Sequence, residues 1–341
     1  MEARIGGKLK ILYIVDILRK YSDEEHPLNA SEICGYLADY NIKAERKAIY
    51  DDIENLIFYG YDIIKTRTPK NGFFLASREL ELPEIYLLTD AVQAAGFITP
   101  KKTRELVGKL EDMMSAPQAR ARQDSIYIDY SRKCDNEEIY LSIYTLRHAI
   151  EQKKKVTLKY RTRRLDGRSM ALREREHKVS PYALIWMDDH YYLVCNNEKY
   201  DNLMHLRLDR MKSVTMTEEP YRHFSQVSDY KETFDTADYA GRAFNMFGGD
   251  MVEMELNCSE TILDQVIDRF TDRIHIIGSE NGRFSFRTKG MLSEGLVGWL
   301  MQFGGYIEVV APERLRDMMQ EKINDLIKVY KKHLIGINKR G

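Results

Sequence analysis

The side chains with chemistry to offer gather between Val179 and Met211. His190, Tyr192, His205 and Arg207 occupy alternating positions in short runs rich in aromatic and aliphatic residues, the pattern of half-buried strands. Alternation assigns Tyr182, Leu184, Trp186, Tyr191, Leu193, Cys195, Met204, Leu206 and Leu208 to one side. His190, Tyr192, His205, Arg207 and Asp209 fall on the other, with Ser180 read beside them. Asp188-Asp189 signals a turn between two of the strands. Two imidazoles, an arginine fork and a tyrosine hydroxyl aimed at one place suit a bound anion. The fork grips phosphate through paired N–H groups, and the hydroxyl adds a neutral donor. A nucleophile is harder to find, because alternation turns Cys195 away from both imidazoles. The chain has no Walker loop, His-Glu-x-x-His, Gly-x-Ser-x-Gly or dinucleotide fingerprint. The expectation is a protein that binds rather than catalyses, with no catalytic residue, no cofactor and no metal.

Ser180-Pro181-Tyr182, His190-Tyr191-Tyr192-Leu193 and Arg207-Leu208-Asp209-Arg210 resemble the marks of the WYL domain, a small Sm-like β-barrel of bacterial regulators. The family's naming triplet, Trp-Tyr-Leu, stands here as Tyr191-Tyr192-Leu193. The resemblance implies an N-terminal winged helix-turn-helix and a C-terminal extension, WCX, on either side of the barrel. It also implies a basic concavity lined by Ser180, Tyr182, His190, Tyr192, His205, Arg207 and Arg210. Strict alternation places Arg210 opposite Arg207, where it could pair with Asp209 and merely close the barrel. The resemblance carries both arginines into the site.

The 341 residues are enough for two or three domains, and 31% charged with 43% hydrophobic residues is ordinary for a globular chain. No apolar run approaches the roughly 20 residues of a membrane span, and no signal-peptide core opens the chain. Cys34, Cys134, Cys195 and Cys258 lie far apart, which fits reduced thiols in the cytoplasm better than a disulfide frame or zinc site.

Residues 1–78 have the plan of a winged helix-turn-helix. Apolar positions at helical spacing predict helices over Lys8 to Lys20, Ala30 to Ala38 and Ala44 to Tyr59, with Asn29 as N-cap of the second. On the third, Ile49, Ile53, Leu56 and Ile57 are expected inside. Tyr61 to Arg67 and Phe73 to Leu75 predict a hairpin turned at Asn71-Gly72. In this motif the third helix enters the major groove. Glu45 to Ile53 also resembles the recognition helix of DeoR-type winged regulators, with Asp51 where that family often has arginine. The expected DNA contacts are Lys43, Arg46, Lys47 and Tyr50 on or beside the helix, and Lys65, Arg67 and Lys70 on the wing. Charge is balanced here, twelve Lys/Arg against twelve Asp/Glu, but the positives collect at the two places that would touch phosphate.

Residues 79–138 are expected as a helical connector, with one helix from Thr89-Asp90 to Phe97, another from Pro100 to about Met114, a loop over 116–123 and an edge strand over 125–130. Residues 139–220 form the expected barrel. From Arg147 to Lys178 they hold twelve Lys/Arg and four Asp/Glu, and the stretch from Arg163 to Arg175 looks like a basic loop. Residues 221–250 are expected as linker. Residues 251–335 alternate as strand–helix–strand–strand–helix–strand, a ferredoxin-like order, and Trp299-Leu300 with Phe303-Gly304-Gly305-Tyr306-Ile307 resembles WCX. The sum is an α+β multidomain chain. The expected function is a DNA-binding transcriptional regulator whose WYL domain senses a nucleotide or short single-stranded nucleic acid, acting as a homodimer on a double-stranded operator. The alternative is a nucleic-acid-binding accessory or RNA-processing factor that works directly through the barrel.

Overall fold

The computed structural model describes residues 7–122 and 133–337. The chain divides into two compact units, Met1–Asp135 and Asn136–Gly341.

The first unit opens with three helices, α1 (Gly7–Tyr21), α2 (Ala30–Asp39) and α3 (Arg46–Tyr59), followed by a hairpin of β1 (Ile63–Thr66) and β2 (Gly72–Leu75). Ile14, Leu18, Ile33, Leu37, Ile49 and Ile53 meet in its core. Asn29 caps α2, accepting from the Ser31 and Glu32 N–H groups while its own N–H donates to the Glu32 carboxylate. Gly60 ends α3 in the left-handed region, at φ 117°. Ile57, expected inside, is exposed, because the helix turns it away from the core that holds Ile49, Ile53 and Leu56.

The hairpin departs from expectation at its turn. Thr66 pairs with Gly72, so Gly72 belongs to the strand and the connection spans residues 67–71. Neither Asn71 nor Gly72 takes the positive φ of a two-residue turn. Glycine is needed here for a different reason. Leu28 and Phe73 exchange two backbone hydrogen bonds of 2.8 Å, and a Cβ on Gly72 would stand 2.8 Å from the Leu28 carbonyl carbon.

Three further helices follow among the described residues of this unit: α4 (Leu82–Ala94), α5 (Pro100–Glu111) and α6 (Ala116–Arg122). Helix α4 begins well before Thr89, under a capping box of Glu81 and Glu84. Thr89 lies inside it, donating from Oγ1 to the Ile85 carbonyl at 2.7 Å. Thr99 caps α5 as Pro100 leads it in. The expected loop at 116–123 is instead α6, whose entry is a reciprocal cap of Ser115 and Gln118. The edge strand expected over 125–130 lies outside the described residues.

The second unit holds two antiparallel sheets. Helix α7 (Ile139–Glu151) leads into β3 (Lys154–Asp166), β4 (Ser169–Met187), β5 (His190–Asn196), β6 (Met204–Arg207) and β7 (Met211–Pro220). Their order is β6-β5-β4-β3-β7. Asp188 and Asp189, at φ 49° and 59°, make the two-residue turn between Met187 and His190. The expected basic loop is not a loop: β3 and β4 remain paired to Asp166 and Ser169, so Arg163 to Arg175 belong to a long ribbon.

Residues 221–250 contain α8 (Thr236–Arg242) and pack on this sheet rather than spanning open solvent. The second sheet follows: β8 (Asp250–Ser259), α9 (Leu263–Phe270), β9 (His275–Glu280), β10 (Arg283–Leu292), α10 (Glu294–Met301), β11 (Ile307–Ala311) and the long α11 (Glu313–Ile337). Its strand order is β11-β8-β10-β9. Asn281 and Gly282 both take positive φ, at 54° and 71°, and turn β9 into β10. Phe244, Phe270, Phe286 and Leu296 are buried at the centre of its core.

Candidate functional site

Strand register decides which side chains can meet. Tyr192 pairs with Ile185 on one side and Arg207 on the other, while Val194 pairs with Ala183 and His205. His190 pairs with Met187. Directly opposed residues in an antiparallel sheet point the same way. His190, Tyr192, His205 and Arg207 therefore share one face of β4–β5–β6, as alternation predicts. The opposite face carries Leu184, Leu193 and Leu206. Trp186, expected within that apolar face, lies at its edge and is 53% exposed.

The shared face is not uniformly open. At its His205 end, Ala183, Ile185 and Val194 are buried against Tyr239, Ala243, Met246 and Met291. His205 Nε2 and the Tyr239 hydroxyl are 2.7 Å apart and hydrogen-bonded. Burial holds the His205 imidazolium down to a pKa of about 4. Burial also lowers His190, with Arg207 adding to the effect. Both rings are thus neutral hydrogen-bonding groups near pH 7, and the positive charge of the site comes from its arginines.

Arg207 is already engaged. Its Nε donates to Asp209 Oδ1 at 3.0 Å and its Nη2 to Asp209 Oδ2 at 2.7 Å. Burial opposes the guanidinium charge, but the carboxylate outweighs it and holds the Arg207 pKa above its ordinary value. The Arg207 N–H donates to the Tyr160 hydroxyl at 3.2 Å. Strand β6 stops at Arg207, and a single 3-10 turn over Leu208–Arg210 follows, breaking the alternation. Arg210 is exposed, and it acts with Arg207 on the protonation of both His190 and Tyr192. Asp209 pairs with Arg207 rather than with Arg210.

Ser180 and Tyr182 have other work. The Ser180 Oγ accepts from the Arg222 N–H at 2.8 Å, and the Tyr182 hydroxyl donates to the Arg222 carbonyl at 2.7 Å. A register shift between Pro181 and Ala183 sends Tyr182 among Phe224, Val227 and Phe234. These two residues clamp the chain after β7 and do not face Arg207. Asp209, Tyr160 and Tyr239 are the neighbours the site prediction lacks. Asp209 stood on the right face, but Tyr239 lies in a stretch with no strong pattern, and nothing local marked it.

A cleft of about 950 Å³ opens beside His205, lined also by Tyr230, Asp238, Tyr239 and Arg242. Its wall includes Asp201, Asp229 and Asp250 and does not include His190, Tyr192 or Arg207. It is an acidic neighbour of the arginine site.

Residues 142–216 match the WYL domain, and residues 250–327 match the WCX domain. The chain carries a WYL domain. The β4–β6 face described above lies inside it, and the WCX match spans the second sheet and most of α11. No curated protein matches the sequence. Among solved structures, proteasome accessory factor B/C (PafBC) of Arthrobacter aurescens aligns at 16% identity and a TM-score of 0.27, over 96% of this chain and 51% of that one. This WYL-domain chain thus spans about half the length of that protein. A CRISPR Cas-related protein aligns at 14% identity and a TM-score of 0.36, over 95% of this chain and 85% of that one.

In the first unit, Arg46 and Lys47 are exposed on the first turn of α3, with Lys43 exposed just before it. That turn contains no acidic residue. Tyr50 is half-buried, its ring edge-on to Phe73 at 5.5 Å, and Lys65 Nζ lies 5.5 Å from the centre of the same ring. Arg67 is exposed on the hairpin connection. Lys70 is not free: its Nζ donates to Glu32 at 2.6 Å. Of the nearby carboxylates, Asp23 is buried in loop hydrogen bonds, and Asp52 pairs with Lys10 at 2.7 Å.

Proposed function

We propose that this protein is a DNA-binding transcriptional regulator whose WYL domain senses a negatively charged ligand. In this reading α1 to α3 and the β1–β2 hairpin act as a winged helix-turn-helix, and the five-stranded sheet as an Sm-like barrel. The observation that carries the reading is the exposed, carboxylate-free first turn of α3 bearing Arg46 and Lys47. Helix N-terminal residues of a recognition helix are the ones that meet base edges, and arginine reads guanine with a paired contact. Lys65 and Arg67 on the hairpin would hold the backbone, whereas Lys70 is committed to Glu32 and contributes less. Two copies would place two such helices on a palindromic operator in the cytoplasm.

The ligand reading rests on Arg207, Arg210, Tyr192 and His190. A phosphate arriving there meets one open guanidinium and one occupied by Asp209. The protein works by binding, and no catalytic step is assigned to it.

The test begins with selection of preferred duplexes from a random pool, followed by affinity measurements on wild type and the double variant Arg46→Ala/Lys47→Ala. The variant should lose at least tenfold in affinity for the selected site, since each base-reading contact carries about 1–3 kcal/mol. Undiminished affinity with an unchanged thermal melt would remove α3 from the interface. A selected preference for single strands over duplexes would favour the accessory-factor reading instead.

A further inference from the structure

The β3–β4 ribbon leaves the body of its sheet. Pairing of β3 with β7 ends at Tyr160 and Met211, and pairing of β4 with β5 begins only at Ser180 and Asn196. Between those limits, among the described residues, the two strands pair only with each other, Arg161 to Asp166 on Ser169 to Glu174. Every residue from 162 to 176 is exposed. Six paired positions at about 3.4 Å each make an arm on the order of 20 Å long.

Register sorts its side chains into two unlike sides. On one lie Leu165, Met170 and Leu172, exposed at 73%, 74% and 66%, together with Arg161, Arg163 and Glu174. On the other lie Arg164, Arg173 and Arg175, separated by the small residues Thr162 and Ala171, with Asp166 and Ser169 at the tip. Glu174, on the first side, is held by Arg161 at 2.9 Å and Lys159 at 3.5 Å. Among the described residues Arg164, Arg173 and Arg175 make no ion pair. Three guanidiniums outside any such pair, on a thin, protruding ribbon whose one carboxylate on that side, Asp166, stands at the tip, form a surface for a regularly charged polyanion.

We propose that this arm is a second nucleic-acid contact, its Arg164–Arg173–Arg175 side gripping the phosphate backbone of duplex DNA independently of sequence. A two-stranded ribbon has the width that the major groove admits, and guanidiniums match phosphate oxygens in pairs. Single strands fit less well, because binding them without sequence preference relies on stacking aromatics, and residues 161–175 include none. The inference does not rest on the assignment of α3 as the recognition helix.

The experiment uses the full chain and a random-sequence 30-base-pair duplex, with affinity followed by fluorescence anisotropy across a salt series. Each lost phosphate contact flattens the logarithmic salt dependence by about 0.9. Arg164→Gln/Arg173→Gln/Arg175→Gln should therefore lower the slope by roughly 2 to 3 and weaken binding about tenfold or more at low salt. Its preference among sequences should be unchanged, which separates this result from that of Arg46→Ala/Lys47→Ala. Two controls should keep the wild-type slope: Leu165→Ser/Met170→Ser/Leu172→Ser, and removal of three exposed lysines elsewhere, Lys101→Gln/Lys109→Gln/Lys199→Gln. An unchanged slope in the arginine variant overturns the proposal. So does an equal effect of the lysine control, which would reduce the arm to net charge, or a loss confined to single-stranded probes.

Discussion

Arg207 and Asp209 form a closed pair inside the site expected to receive an anion. An intramolecular carboxylate competes with any incoming phosphate for the same fork, and Asp209 holds it bidentately at 2.7 and 3.0 Å. Asp209→Asn keeps the shape and removes the competing charge. We expect it to raise affinity for a short single-stranded oligonucleotide several-fold, while Arg207→Ala lowers it. Calorimetry on the two variants decides the matter, and equal affinities in both would place the ligand elsewhere. His205 gives a second residue-scale prediction. Its ordinary pKa of 6.5 drops to about 4 on folding. Between those values the unfolded chain binds more protons, so stability is intact above about pH 6.5 and is lost as pH falls toward 4. Each unit of that window is worth roughly 1.4 kcal/mol at most. Urea melts over this range should show the loss in wild type and a flatter profile in His205→Leu.

Elements were legible where local chemistry decides them and obscure where distant contacts do. Asn29 with Glu32, the Asp188-Asp189 turn and the Asn281-Gly282 turn each carry their structure in two to four adjacent residues. The face holding His190, Tyr192, His205 and Arg207 was legible too, because pleating alone orders it. Ser115-Ala116-Pro117-Gln118 is an equally local capping signal, for α6, although the polar stretch reads as a loop. Gly72 and Tyr239 are different in kind. Leu28, far back in the chain, sets the need for glycine at 72, and His205 gives Tyr239 its place. No window of neighbouring residues contains either partner. Gly72→Ala tests the first case: overpacking against the Leu28 backbone should cost about 1–3 kcal/mol in chemical denaturation. A neutral substitution would show that the bridge between Leu28 and Phe73 yields easily.

At the scale of the whole molecule, self-association is the open expectation. Beyond its packing on the second sheet, α11 presents Ile323, Leu326, Ile327 and Tyr330 to solvent at helical spacing. A second copy laid along this stripe would bury it with two-fold symmetry, the symmetry a palindromic operator asks for. Light scattering should report a dimer at micromolar concentration, and Leu326→Glu/Tyr330→Glu should return a monomer; a wild-type monomer excludes the arrangement. The ribbon from Arg161 to Arg175 has one more consequence, for the chain's covalent integrity. A two-stranded hairpin with no third strand beside it among the described residues opens at little cost, and this one concentrates arginines, the residues after which trypsin cuts. Brief digestion should therefore nick the chain there before anywhere in its helical cores. The remaining stubs of β3 and β4 are anchored by β7 and β5, so the nicked protein should stay folded and elute as one species until denatured.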